Sequence, residues 1–336
     1  MNQEEITSSR EPFEKDFVGH VRRINDFCLD YGCFFEVSWL SGANANDLEA
    51  YVTDPQRGQD SKSDIYQEIN EWFTALEYRP FERAHFIYRA QQTPVFREFS
   101  HHLERGLLLY YKGDFFSAVQ VLVPAVEGIL RLYVGGGPME IGKGLVDKIQ
   151  HVQRSLPHPE FALRHSAFKD ILEQFLRKWF FARSDDPTLT TIPSKMNRNY
   201  ISHLAGTDAF YRPSDCNRLF AFFDVMLEVV TLEHAEVAHF ISLPEEGIPE
   251  VTERMNYYSY LMSPLSPWHQ IRDVEERSMA QNPRYESSRV PDWAGILAAQ
   301  QVRWEAMLRD IREGRERVPH KTPPRPLQPR FDPGEP

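Results

Sequence analysis

Cysteine is nearly absent from this chain. Three occur in 336 residues, at Cys28, Cys33 and Cys216. An odd number with no C-x-x-C pair supports neither a disulfide framework nor a zinc site, so three reduced thiols are expected. Positive charge is also short: Lys and Arg total 38 against 49 Asp and Glu, a formal net charge of −11. That excludes a protein that coats nucleic acid through bulk charge, while a small basic site on an acidic body stays open. No apolar run is expected to reach the length of a membrane span. The acidic, polar start "MNQEEITSSREPFEKDF" is unlike a secretory signal, so a cytoplasmic protein with no membrane contact is expected. A phosphate loop is missing too, since no Ser or Thr follows Lys143 in "GGGPMEIGKGL". No internal repeat is visible, and no metal or cofactor is expected.

What is present reads as mainly α. A hydrophobic fraction of 41% is enough for a large core and more than one domain. Phe17, Val18, Val21, Ile24, Phe27 and Cys28 recur at helical spacing. "CFFEVSWL" (33–40) fits a short strand, and the turn-rich stretch 42–64 fits a loop. Ile65, Ile69, Trp72 and Phe73 mark a second helix, and Phe96, Phe99, Leu103, Leu107 and Tyr110 a third after Pro94. The clearest helix lies within 113–138, with Asp114 as N-cap, Gly135 to Pro138 as stop, and Pro124 as a kink. A further helix through Phe168, Ile171, Leu172 and Phe175 runs into "RKWFFAR" (177–183). That cluster suits either RNA stacking or aromatics packed at a helix end. Ser214 or Asp215 caps a long core helix, and beyond about 243 the texture becomes proline-rich, with one more helix at 291–312. The division is a helical region 1–99, a bundle 100–245, a largely irregular extension 246–316 and a Pro-rich disordered tail 317–336.

One stretch carries chemistry. "SKMNRNYISHLAG" (194–206) places Arg198, Asn199 and His203 within a turn and a half of a helix that Ser194 can cap. Arg followed by His at this distance is a weak pattern, and three further pairs fit it: Arg79 with His85, Arg97 with His102, and Arg315 with His320. Chemistry separates them. Glu98 follows Arg97, Glu82 lies inside the Arg79 pair, and the Arg315 pair falls at the tail. "RNYISH" alone contains no acid and lies between core-like helices. Asn199 and His203 share a helix face, and Arg198 stands about 140° from His203 on an ideal helix. An imidazole can move the proton of a ribose 2′-hydroxyl, and a guanidinium can hold the phosphate that the hydroxyl attacks. The same residues also cap and solvate a short helix, which is the commoner meaning of so short a motif. "EHAEVAH" (233–239) is not HExxH and reads as a solvated helix rather than a metal site. His101 and His102 are read as surface residues.

The setting resembles the HEPN superfamily, whose members carry Arg-x(4–6)-His with a polar residue after the Arg. The helix 113–131 is similar to a core helix of that family, with Pro124, Glu127 and Arg131 matching its pattern, and 213–230 is similar to the closing helix. The resemblance covers roughly 100 to 245. It implies a helical bundle that forms a homodimer and cleaves RNA without metal in a shared Arg/His cleft, in antiphage defence or a toxin system, under a regulatory protein partner. By motif position Arg198 binds phosphate, Asn199 supports it, and His203 is the acid/base group. Glu127 and Arg131 support the cleft edge. Leu204 stands where many members have Gly. A member without catalysis, binding RNA or a partner protein, is the alternative the resemblance allows, and an unrelated helical scaffold is the other reading.

Overall fold

The computed structural model describes residues 3–36, 42–55, 60–77, 79–137, 143–152, 154, 156–183, 197–198, 201, 213–234, 244–263, 266–268 and single positions at 295, 298, 302, 305 and 309. Helices dominate them, and no strand occurs among them. In chain order they are α1 (Gln3–Leu29), α2 (Gly42–Thr53), α3 (Lys62–Glu77), α4 (Pro80–Gln92), α5 (Ser100–Tyr111), α6 (Phe115–Val134), α7 (Lys143–Ile149), α8 (Ala162–Phe175), α9 (Pro213–Leu232) and α10 (Ile248–Met262). The helix expected at 291–312 and the tail lie almost entirely outside the described residues.

α6 is bounded as its sequence predicts. The Asp114 carboxylate accepts the Ser117 N–H at 3.0 Å and closes the N-terminus. Gly135 turns left-handed at φ 65°, and the Gly136 N–H reaches the Arg131 carbonyl at 2.9 Å. Pro124 sits on the exposed side of an unbroken helix. Among the described residues α6 is also the one helix long and apolar enough to cross a membrane, with mean hydropathy 1.5, contrary to the expectation of no such run. Here its apolar face is core: Val119, Leu122, Val126, Ile129 and Leu130 are all fully buried.

α9 is the centre of the bundle. All of its side chains are buried, and it packs against α3, α6 and α8. It begins at Pro213, so Ser214 and Asp215 lie in its first turn. α1 lies on α8 and α2, and α10 lies on α4 and α5. A single hydrophobic core runs from Val21 to Met262. Packing therefore crosses the boundaries drawn at 99 and 245.

Three helices depart from the expectations. α2 occupies most of the stretch read as a loop, held by buried Leu48 and Val52. α4 was not predicted: its buried side mixes Glu82, Arg83, His85 and Arg89 with Phe81, Phe86 and Ile87. α10 falls in the proline-rich extension, yet it buries Val251, Met255, Tyr258 and Leu261. The short strand at 33–40 does not form over 33–36, the part described. Phe34 and Phe35 are buried there in extended chain. The Asn25 carboxamide supplies what a neighbouring strand would, accepting the Phe35 N–H at 2.7 Å and donating to the Phe35 carbonyl at 3.1 Å.

The charges inside are paired across long sequence distances. Arg83 holds Asp224 through two hydrogen bonds of 3.1 and 3.0 Å. Arg164 holds Glu14 the same way, at 3.2 and 2.5 Å. Arg89 reaches Glu228 at 3.5 Å and Thr231 at 3.3 Å. Such pairs add little net stability, but losing one partner strands a charge.

Candidate functional site

Of the motif residues, Arg198 is described, while Asn199 and His203 lie outside the described residues, as does Ser194. The residues around Arg198 show how the segment is held. Asn197 is 1% exposed, and its amide donates to the carbonyls of Trp179 at 2.8 Å and Ala182 at 3.0 Å. These carbonyls belong to the π turn Leu176–Phe180 and the residues just after it, where the chain leaves α8. The Ile201 N–H bonds the Asn197 carbonyl at 3.0 Å, and the Ile201 side chain is buried. Arg198 thus lies between two residues, Asn197 and Ile201, that are fixed to the core.

Arg198 then reaches α6. Its Nε donates to Glu127 Oε1 at 2.5 Å, with the side chains 19% and 14% exposed. Short charge-assisted contacts of this kind are among the stronger hydrogen bonds, more so when partly withdrawn from water. Two motifs quoted separately from the sequence, 71 residues apart, therefore touch. Arg131 follows Glu127 by four residues, the spacing of one helix face, and is half-buried.

Of the other Arg/His pairs, Arg315 and His320 lie outside the described residues, and members of the other two have local structural uses. His85 is buried and its ring lies against Phe81. Arg97 donates to the carbonyls of Gln91 at 3.1 Å and Gln92 at 3.4 Å, closing the end of α4. His101 and His102 are exposed as expected. The RNA-stacking reading of "RKWFFAR" is excluded by burial. Trp179, Phe180 and Phe181 are 1%, 0% and 5% exposed. Trp179 Nε1 donates to the Leu29 carbonyl at 2.8 Å, and the Arg218 guanidinium lies over its ring. Arg177 pairs with Glu173 and Asp147, and Lys178 pairs with Asp30.

The three cysteines are free and buried. Burial pushes the Cys33 thiol up to about 11, and it raises Cys28 and Cys216 as well. Burial of this kind disfavours the thiolate form. Among the described residues no three His, Cys, Asp or Glu side chains gather as metal ligands.

A second polar cluster has no counterpart in the sequence reading. Glu233, read there as part of a solvated helix, is fully withdrawn from solvent. Its Oε1 accepts from Tyr133 Oη at 2.7 Å and pairs with His165 Nε2 at 2.8 Å. Arg154 approaches Oε2 at 3.4 Å and also donates to the Tyr133 carbonyl at 2.9 Å. Lys169 donates to the Val152 carbonyl nearby, at 2.9 Å, and burial lowers its pKa. The cations gather where α6 and α9 end, which their helix dipoles favour. The cluster binds the 150s segment to both helices, and only its pairings in three dimensions disclose it.

No family model, curated protein or solved structure matches the chain.

Proposed function

We propose that the chain is a metal-independent endoribonuclease of the HEPN type, acting in the cytoplasm as a homodimer. The observation that supports this reading best is the Arg198–Glu127 pair. It joins the Arg of the Arg-x4-His motif to the acid of the helix pattern, two features the resemblance relates independently. In the proposed reaction a ribose 2′-oxygen attacks the adjacent phosphorus and the 5′-oxygen leaves. His203 takes the proton from the 2′-hydroxyl or delivers one to the leaving oxygen. Arg198 binds the non-bridging oxygens and offsets the charge that develops on them. Asn199 orients phosphate or imidazole, and Arg131 with Glu127 borders the site. Two copies of Arg198 in one cleft concentrate positive potential on a chain whose net charge is −11. Defence against phage or a toxin role, under a regulatory protein, belongs to the same proposal and rests on analogy.

One observation favours a second reading, a non-catalytic module that binds RNA or a partner protein. The Arg198 guanidinium already carries a carboxylate, so its charge is partly answered within the chain.

The test is cleavage of total RNA in EDTA by wild type, Arg198→Ala and His203→Ala. The nuclease reading expects cleavage that survives chelation and disappears in both variants. Cleavage retained by either variant, or none by wild type, refutes it. Binding of intact RNA without cleavage supports the second reading.

A further inference from the structure

The outer face of α5 gathers positive charge on an acidic chain. His101, Arg105 and Lys112 follow one another four and seven residues apart, which brings them to one side of the helix over about 16 Å. His101, His102 and Arg105 are exposed and Lys112 is half-buried. None of these four forms an ion pair with an acid among the described residues. By contrast Arg22, Arg177, Lys178 and Arg254 are paired with Asp170, Asp147, Asp30 and Glu250. Burial and the charge of Arg105 lower the Lys112 pKa, and Asp114 opposes them only in part. Asp114 is itself engaged with the Ser117 N–H. An anion between Arg105 and Lys112 would relieve their repulsion. Glu98 is exposed three residues before His101, so the net positive part of the face is its Arg105–Lys112 half.

An aromatic ring completes this half. Lys112 Nζ lies 4.4 Å from the centre of the Trp268 ring, and Trp268 is still 37% exposed. The chain that carries the indole is fixed, because Ser266 is buried and its N–H bonds the Ser263 carbonyl at 2.9 Å. The opposite end of α5 lies beside the candidate site. The Phe99 ring covers Gly128, the residue after Glu127, and His102 lies against Phe99. Cations beside an exposed ring are what a single-stranded nucleic acid needs: phosphates meet the charges and a base meets the ring.

We propose that the outer face of α5 is a second contact surface for single-stranded RNA, on which Arg105 and Lys112 hold phosphates and Trp268 stacks a base. The proposal rests on RNA as the ligand of this chain, and it adds binding residues away from Arg198.

The experiment uses the full chain and a single-stranded 2′-O-methyl oligoribonucleotide, which lacks the attacking hydroxyl. Fluorescence anisotropy gives the affinity over a series of salt concentrations. Arg105→Gln with Lys112→Gln should weaken binding about tenfold and lower the salt slope by about 1.4, for two phosphates at about 0.7 each. Trp268→Ala should weaken it about fivefold or more, and Trp268→Phe should keep most of the affinity. Should the double variant fold poorly, Arg105→Gln alone carries the same direction and about 0.7 of slope. Weaker binding at the wild-type slope overturns the proposal, since the loss would not come from phosphates. An unchanged double variant beside a weakened Arg198→Ala overturns it and leaves the Arg198 site standing. Loss in the double variant and Trp268→Ala, with Arg198→Ala unchanged, upholds this surface and counts against the Arg198 site. Poly-glutamate bound as tightly as RNA, with Trp268→Ala unchanged, assigns the face to an acidic protein and overturns it. No RNA binding by wild type overturns both.

Discussion

Substituting Glu228 by Gln should remove a pH dependence of stability that the wild type carries. Glu228 lies on α9 and is fully buried. Its Oε2 meets Arg89 at 3.5 Å, and its Oε1 has no hydrogen-bond partner. Burial is the largest influence on it and raises its pKa. Arg89 and, farther off, Arg164 pull it back down, while Glu14 pushes it up again. The balance leaves the carboxyl at about 7 against an ordinary glutamate value of 4.5. A carboxyl raised in the folded state makes its full contribution below 4.5, where folded and unfolded chains both hold the proton. The contribution falls as pH climbs through 7, because unfolding then releases the proton. At about 1.4 kcal/mol per pH unit, the loss across that window is about 3 kcal/mol. Gln has nearly the same shape and never ionises. Urea denaturation of both proteins at pH 5, 6, 7 and 8 gives two stability curves, and their difference cancels every other titrating group. The Gln variant should gain on the wild type from pH 5 to about pH 7 and level off by pH 8. Parallel curves would refute the argument. A wild type that gained instead would mean that attraction to Arg89 outweighs desolvation.

Three further substitutions test how the fold holds its parts. Gly32→Ala places a Cβ at φ +67°, 2.4 Å from Arg218 Nη2 and 2.9 Å from Trp179 Cδ2. The left-handed backbone and the displaced guanidinium together should cost about 2–4 kcal/mol in a urea titration, and an unchanged midpoint would contradict the packing described. Asn197→Ala leaves the Trp179 and Ala182 carbonyls unanswered. It should lower stability by about 2 kcal/mol and, on the proposed site, weaken RNA binding as well, measured well below the melting temperature of the variant, where a loss of stability alone leaves the chain folded. Tyr133→Phe removes one of the two short contacts to Glu233 Oε1. A cost of about 1.5–3 kcal/mol in thermal melts is expected, and a cost near zero would show that His165 and Arg154 suffice.

Local chemistry was legible in the sequence, and long-range pairing was not. The ends of α6 follow from Asp114 and Gly135, which act within four residues of themselves. The apolar faces of α3, α6 and α9 follow from spacing alone. α4 was not predicted, because Glu82, Arg83, His85 and Arg89 interrupt its apolar residues, and such charges make sense inside only once their partners are known. Those partners, Asp224 and Glu228, lie 141 and 139 residues away. α10 was masked by neighbouring prolines, although Pro249 merely occupies its first turn, where a missing N–H has no consequence. In the candidate site the motif itself was readable, but the anchor beside it was not. Asn197 carries no motif signal, yet its two hydrogen bonds position Arg198.

Two arginines of the Arg/His pairs show why spacing is poor evidence and partner chemistry is better. Arg97 and Arg198 precede a His at similar distances. Arg97 donates to two backbone carbonyls of the helix before it. Those acceptors cannot leave, since the end of α4 would lose its partners. Arg198 donates to a side-chain carboxylate on another helix. That acceptor is a side chain, so no helix end depends on its bond to Arg198. A guanidinium satisfied by carbonyls is a cap, whereas one held by a side-chain carboxylate across two elements is not needed to close a helix. By that criterion, rather than by the count of residues to the next histidine, Arg198 is the candidate of this chain to be mutated first.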